Sequence, residues 1–454
     1  MNKILTICYK IDILFINIPL ALTIREDEYL SGNRSVVQMI KEINCKKVNG
    51  TVRIPASKSY GHRALIALSL SKGKGVLDNF DMSLDIMATL KCLEDLGVDF
   101  IFSDRSLSID ATRFGQFRDR TMKPEESGST LRFFIPITLL FDEVFEFRCK
   151  TGLLKRPLTV YEELFKDLDI VLYRDSLESL VVKGRLSSGE FTMRGDVSSQ
   201  FISGMLLVLP MLEGDSVLKV TGELESEGYV NMTLKVMEDF GIEVTRDGNT
   251  FYVRGNQSYL ARDYKIEGDY SQGAFMLAAG VLGGDVTVTG LEKDTAQGDA
   301  DIVRIIRDMG GVIEETEEGL RARRSDLKAI DIDISQTPDL TPILGVLLSL
   351  SRGTGRLLNG KRLRYKESDR IKTTVAMINS LGGDAREDGE DIVIEGKDML
   401  KGGRSFAFND HRIVMSSSVA ALRSLDKVYI DGYEAVNKSY PEFFNDFEHM
   451  LCNR

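Results

Sequence analysis

From Ser57 onward, polar and apolar positions fall into one pattern that recurs six times. Each unit opens on a short polar segment, often serine-rich. An apolar stretch follows, then a small-residue turn and a β-branched strand. The openings are Ser57-Lys58-Ser59, Ser127-Gly128-Ser129-Thr130, Ser198-Ser199-Gln200, Ser271-Gln272-Gly273, Pro338-Asp339 and Asp410-His411-Arg412. They stand roughly 70 residues apart, longer than solenoid repeats and close to a compact βαβ-type unit. The stretches 131–140, 201–212, 274–282, 342–350 and 413–422 are apolar on every side, which predicts helices buried all round. A second, amphipathic helix closes most units on a shared ending: Leu93-Glu94-Asp95-Leu96-Gly97, Met237-Glu238-Asp239-Phe240-Gly241, Ile306-Arg307-Asp308-Met309-Gly310 and Ile378-Asn379-Ser380-Leu381-Gly382. Each glycine suits the left-handed residue just past a helix, where the chain turns into a strand. Val286-Thr287-Val288-Thr289 and Ile392-Val393-Ile394 then read as strands. Six such units predict an α/β protein of two domains with three units each, and 454 residues exceed what one ordinary core can hold.

The polar openings are where chemistry is expected. The first four N–H groups of a helix lack intrahelical partners, and the macrodipole puts positive potential there. A Ser or Thr opening therefore supplies a cap and a cradle for an anion. Cationic side chains fall at or near the same places: Lys58 and Arg63, Arg132, Arg156, Lys366 and Arg370, Arg412, Lys438. The net charge is −11, which argues against a nucleic-acid binder, because phosphate backbones demand a basic surface. Local cations in an acidic protein instead predict a small polyanionic substrate.

The cysteines, Cys8, Cys45, Cys92, Cys149 and Cys452, form no CxxC pair, so neither a disulfide framework nor a zinc site is expected. The three histidines, His62, His411 and His449, are too dispersed for a metal cluster, and no metal or cofactor is expected. The scattered cysteines suit a reducing, cytoplasmic compartment, and the apolar run 11–22 is too short to span a bilayer, so no membrane association is expected. The repeat begins after residue 38, and residues 1–38 read as a leader, disordered or preceding a true start at Met39.

The openings are also the carriers of a resemblance. Pro55-Ala56-Ser57-Lys58-Ser59 with Arg63 resembles the PxSKSxxxR opening of the EPSP synthases, a family of enolpyruvyl transferases. Ser127-Gly128-Ser129-Thr130-Leu131-Arg132, Lys155-Arg156-Pro157, Gly195-Asp196-Val197-Ser198-Ser199-Gln200-Phe201 and Glu267-Gly268-Asp269-Tyr270-Ser271 follow in the family's order. Pro338-Asp339, Arg364-Tyr365-Lys366-Glu367-Ser368-Asp369-Arg370, Asn409-Asp410-His411-Arg412 and Lys438-Ser439-Tyr440-Pro441 complete it. The resemblance implies two domains, each of three βαβαββ units with buried parallel helices, closing over the substrates. It places the boundaries at 57–266 for one domain and 39–56 plus 267–454 for the other.

It also implies the ligands. Shikimate 3-phosphate would lie against Ser59, Arg63, Ser198, Ser199, Ser226, Tyr229, Asp339 and Lys366. Phosphoenolpyruvate would lie against Lys58, Gly128, Arg156, Gln200, Arg370, Arg412 and Lys438. Asp339, Glu367 and Lys58 would carry the proton transfers of an addition–elimination reaction. A monomer suffices, since two tethered domains complete such a site. This chain departs from the family at Gly61-His62, Glu126 and Phe133, and at Arg362, which stands where a substrate-binding Asn is frequent. A sister enolpyruvyl transferase acting on UDP-N-acetylglucosamine, with a reactive Cys in a mobile loop, is the nearest alternative. A non-catalytic scaffold on the same fold is another, and the retained carboxylates and cations argue against it.

Overall fold

The computed structural model describes residues 39–150 and 152–451. The expectations for residues 1–38 lie outside the described residues. Among the described residues, six small sheets carry the repeat, five of four strands and one of three. Within one unit, a strand enters a buried helix, and the helix returns the chain to a second strand parallel to the first. A hairpin then adds two antiparallel strands. Strand Thr121–Glu125, helix Gly128–Thr138 and strand Glu143–Cys149 show the parallel step, and Val171–Arg174 with Ser179–Gly184 the hairpin.

One exchange breaks the chain order. Strand Val48–Arg53 precedes helix Lys58–Leu70 but pairs in parallel with Gly284–Thr289, placing Gly50 beside Val286. Reciprocally, Tyr264–Lys265 precedes helix Tyr270–Gly283 but pairs with Lys74–Asp78. The two crossover segments run antiparallel, with Ser57 N–H donating to Glu267 O at 2.8 Å and Asp269 N–H donating to Pro55 O at 2.9 Å. The three-stranded sheet is completed by the chain's first described strand, Ile40–Ile43, against Val428–Asp431. Two hydrophobic cores result. One gathers residues from Tyr60 to Ile266, the other residues 43–54 with residues from Tyr270 to Met450.

The helices expected to be buried all round are so. Every residue of Tyr270–Gly283 is buried, which its run of Gly and Ala permits. All five begin one to four residues earlier than the apolar runs suggest, because the first turn carries the polar opening rather than apolar residues. Two openings differ in detail. Asp269, not Ser271, caps the fourth helix, accepting from Gln272 N–H, and the fifth starts at Thr341 with Leu340 at the cap position. The helix-ending glycines are left-handed as expected, with φ of +99° at Gly97, +82° at Gly241, +88° at Gly310 and +83° at Gly382. No helix of the described residues is long and apolar enough to cross a membrane.

Candidate active site

All six helix openings border one cavity of about 80 Å³ between the two cores. Ser57, Ser127 and Ser198 cap their helices by accepting from Tyr60, Thr130 and Gln200 N–H, and Asp410 does so from Arg412 N–H. Of the residues expected to hold shikimate 3-phosphate, Ser59, Arg63, Ser198, Ser199, Ser226, Tyr229, Asp339 and Lys366 all line this cavity. So do Lys58, Gly128, Arg156, Gln200, Arg370 and Arg412 from the phosphoenolpyruvate set, and Glu367. Lys438 is the exception. It borders an adjoining open groove of about 730 Å³, which it shares with Arg156 and Glu367.

Asp339 is the charge centre. Arg370 Nη1 donates to its Oδ1 at 2.6 Å, Arg412 Nη2 to Oδ2 at 2.8 Å, and Lys366 Nζ approaches Oδ1 at 3.4 Å. The Tyr229 hydroxyl donates to Oδ2 at 2.9 Å. Burial alone would raise this carboxyl, but Arg412, Lys366 and Arg370 hold it well below the usual carboxylate range. Glu367 follows the same logic. Burial opposes its charge, yet Arg370, bonded to it at 2.6 Å, and then Arg156 keep it well below the ordinary range. Arg370 is 1 % exposed and spends its whole fork on carboxylates, with Asp410 the third at 2.9 Å from Nε. Those three carboxylates outweigh its burial and hold its proton more tightly than usual.

The opposite wall is different in kind. Arg63 bonds Thr233 Oγ1, the Ser59 and Tyr229 carbonyls and Ser203 Oγ, and burial pulls it down to about 10. Arg132 donates to Gln200 Oε1 at 2.5 Å and stacks over Phe201, and burial followed by neighbouring Arg156 brings it down to about 9. Gln200 in turn donates to Ser129 Oγ at 2.8 Å. A Cβ at Gly128 would lie 2.9 Å from Arg156 Nη1 and 3.1 Å from Arg132 Nη1, so a side chain there would displace these guanidinium groups. Lys58 Nζ pairs with Asp85 at 2.7 Å, and Lys438 with Glu126 at 2.5 Å.

Several members escape a reading of the sequence alone. Asp85 and Glu126 are counter-ions whose spacing from their cations carries no motif. Glu225 pairs with Arg362 through the fold only. His411 sits inside a readable motif, but its burial is a tertiary fact: it is 1 % exposed and neither ring nitrogen has a hydrogen-bond partner. Burial, then Arg412 and Lys58, push it well below its usual range, so it is neutral. Among the described residues, no group of three or more His, Cys, Asp or Glu side chains is placed to hold a metal ion.

Most of the chain is similar to known proteins. The family model for EPSP synthase (3-phosphoshikimate 1-carboxyvinyltransferase) matches residues 43–447. A 3-phosphoshikimate 1-carboxyvinyltransferase of Clostridium kluyveri is 42 % identical over 412 residues, covering 90 % of this chain and 96 % of that protein. One of Clostridioides difficile is 41 % identical over 422 residues, covering 90 % and 96 %. The solved structure of EPSP synthase from Acinetobacter baumannii superposes with a TM-score of 0.77 at 22 % identity, covering 91 % of this chain and 98 % of that one, and so shares the fold. The chain belongs to the EPSP synthase family.

Proposed function

We propose that this chain transfers the enolpyruvyl group of phosphoenolpyruvate to the 5-hydroxyl of shikimate 3-phosphate, using the cavity between its two cores. The observation that carries this reading is the assembly of two ionised carboxylates, Asp339 and Glu367, with Arg370, Arg412 and Arg156 at the convergence of six helix openings. Hydroxyls and cations on both walls suit a phosphate on one substrate and a phosphate and carboxylate on the other.

In the reaction, the 5-hydroxyl attacks C2 of phosphoenolpyruvate while C3 takes a proton. The resulting tetrahedral intermediate then expels phosphate as the methyl group returns a proton. Asp339 is assigned to the attacking hydroxyl: once a substrate anion shares Arg412, Lys366 and Arg370, its carboxyl rises and can accept that proton. Glu367 is assigned to C3. Its two restraining cations, Arg370 and Arg156, are also assigned to the incoming anions. Once a substrate anion shares them, the Glu367 carboxyl rises, and it can take and return a proton. Lys58 can relay a proton or stabilise charge, and Arg412 and Lys438 neutralise the departing phosphate.

The cavity between the cores, about 80 Å³, is smaller than the roughly 300–1,000 Å³ of ordinary ligand pockets. Substrate entry therefore requires the halves to part. We assign the moving bodies to residues 57–266 and to 39–56 plus 267–454, with the adjoining groove beside Lys438 as the route. One chain supplies both walls, so a monomer is sufficient. The sister activity on UDP-N-acetylglucosamine is disfavoured by Cys149, which lies in strand Glu143–Cys149 with its thiol pushed up to about 12 by burial, not in a reactive state. The direct test measures inorganic phosphate release from phosphoenolpyruvate with each acceptor separately. Release dependent on shikimate 3-phosphate is expected. Release with the nucleotide sugar alone would transfer the assignment to the sister activity.

A further inference from the structure

Ser226 does not do what its position invites. It is the N-cap of helix Glu227–Asp239, where a serine oxygen ordinarily accepts from a first-turn N–H, yet its side chain makes no such bond. Its backbone is left-handed, with φ +54° and ψ +46°, a conformation that costs free energy for any residue but glycine. The consequence is a hydroxyl that borders the cavity and accepts from Arg362 Nη2 at 2.6 Å. The same nitrogen bonds the Ser335 carbonyl, and Arg362 Nε lies 2.5 Å from Glu225 Oε2. Glu225 and Ser226 come from one half of the molecule and Arg362 from the other, so this cluster forms where the halves meet.

A serine oxygen can accept and donate, and an anion can use only the donor. A guanidinium N–H on one lone pair commits that oxygen as an acceptor and leaves its own O–H to donate. Because the bond comes from a cation, it also strengthens the O–H as a donor. Glu225 holds the guanidinium in register and offsets its charge. Arg362 therefore acts through the serine rather than as another free cation.

We infer that Arg362, held by Glu225, is a positioning residue that presets the Ser226 hydroxyl as a donor to the phosphate of shikimate 3-phosphate. This inference rests on the functional reading above. Arg362→Met alone would strand a buried carboxylate, so the test variant is Arg362→Met with Glu225→Gln, compared with Ser226→Ala and with the triple variant. Thermal unfolding first establishes that each is folded. The expected result is a KM for shikimate 3-phosphate raised about tenfold in the double variant. The kcat and the KM for phosphoenolpyruvate should stay within about threefold, and calorimetric binding of shikimate 3-phosphate alone should weaken in parallel. Ser226→Ala should match this effect, and the triple variant should be no worse than either. An unchanged KM, a loss confined to kcat, or multiplying effects in the triple variant would overturn the inference. Failure of the parent protein itself to bind shikimate 3-phosphate would instead overturn the functional reading.

Discussion

The two walls of the cavity use the same helix-opening device and fill it with opposite chemistry. On the wall beside the core that runs from Tyr60 to Ile266, the helices are capped by neutral hydroxyls, Ser57, Ser127 and Ser198. Two are capped by carboxylates, Asp269 and Asp410, on the other wall, and Asp339 lies just ahead of the third. A hydroxyl cap satisfies an N–H and leaves the positive end of the helix available to a ligand. A carboxylate cap cancels that potential, and the wall then needs explicit cations. Arg370, Arg412 and Lys366 provide them, already paired with Asp339, Glu367 and Asp410. The hydroxyl wall is thus ready for an anion as it stands. The carboxylate wall must loosen internal ion pairs to receive one, and the groups released are those assigned to proton transfer. In the proposed reaction, proton chemistry thus falls mainly to the carboxylate wall, with Lys58 its contributor on the hydroxyl wall.

The largest effect expected from breaking this division is on turnover. Glu367→Gln keeps the side chain's shape but removes the group assigned to give and take back the proton at C3. It should lower kcat by about 10²–10⁴-fold with both KM values within about threefold, read from steady-state phosphate release. Turnover within about tenfold of the parent would remove Glu367 from the mechanism. Next comes the ion-pair cluster itself. Arg370→Met would leave Asp339, Glu367 and Asp410 buried around an uncharged side chain, and should cost about 3–5 kcal/mol of stability in urea denaturation. A loss under about 1 kcal/mol would mean that solvent already reaches these carboxylates.

How much of this division was legible beforehand follows from what kind of signal each part leaves. The six openings and helix-ending glycines are local, so Ser57, Ser127, Ser198 and Asp410 could be read as caps and Gly97 or Gly382 as helix stops. The cavity's cations sit within those same motifs and were legible for that reason. Between Asp269 and Ser271 as the fourth cap the sequence does not decide, because both flank the helix start and only backbone geometry separates them. The exchange of Val48–Arg53 with Tyr264–Lys265 leaves no periodicity of its own. Counter-ions such as Asp85, Glu126 and Glu225 were illegible because their partners lie far away in sequence, and acidic residues are common in a chain of net charge −11.

The surplus of carboxylates on the second wall also makes it the pH-sensitive one. Asp299 is buried, takes the Ser271 hydroxyl, and shares the Tyr229 hydroxyl with Asp339. Burial first, then the neighbouring Asp339 charge, raise it to about 6. A carboxyl raised in the folded state contributes stability that is present below its unfolded value near 4 and lost as pH rises through about 6. Asp299→Asn removes that loss, so its stability relative to the parent should improve by about 1–3 kcal/mol between pH 4 and pH 8 in urea denaturation. Asp339 and Glu367 have the opposite sign. Held low, they contribute above the ordinary carboxylate range and lose that contribution in acid. A pH-independent difference for Asp299→Asn would mean that Asp299 is ionised throughout.

The smallest effect tests the quiet side of the comparison. Ser127 is 1 % exposed, and its Oγ accepts from Thr130 N–H at 3.2 Å and from the Thr130 hydroxyl at 2.7 Å. Ser127→Ala should cost about 1 kcal/mol, the usual worth of a hydroxyl cap, because Thr130 retains its bond with Thr89 at 2.7 Å. The corresponding Asp410→Ala removes a cap that also accepts from Arg370 and Ser368, and so should cost several times more. Equal losses at the two positions would mean that the carboxylate caps are merely caps. The division would then rest on Asp339 and Glu367 alone. A larger loss at Asp410 would establish that capping and cation placement on this wall are one structural unit, which explains why its helices do not open on serine.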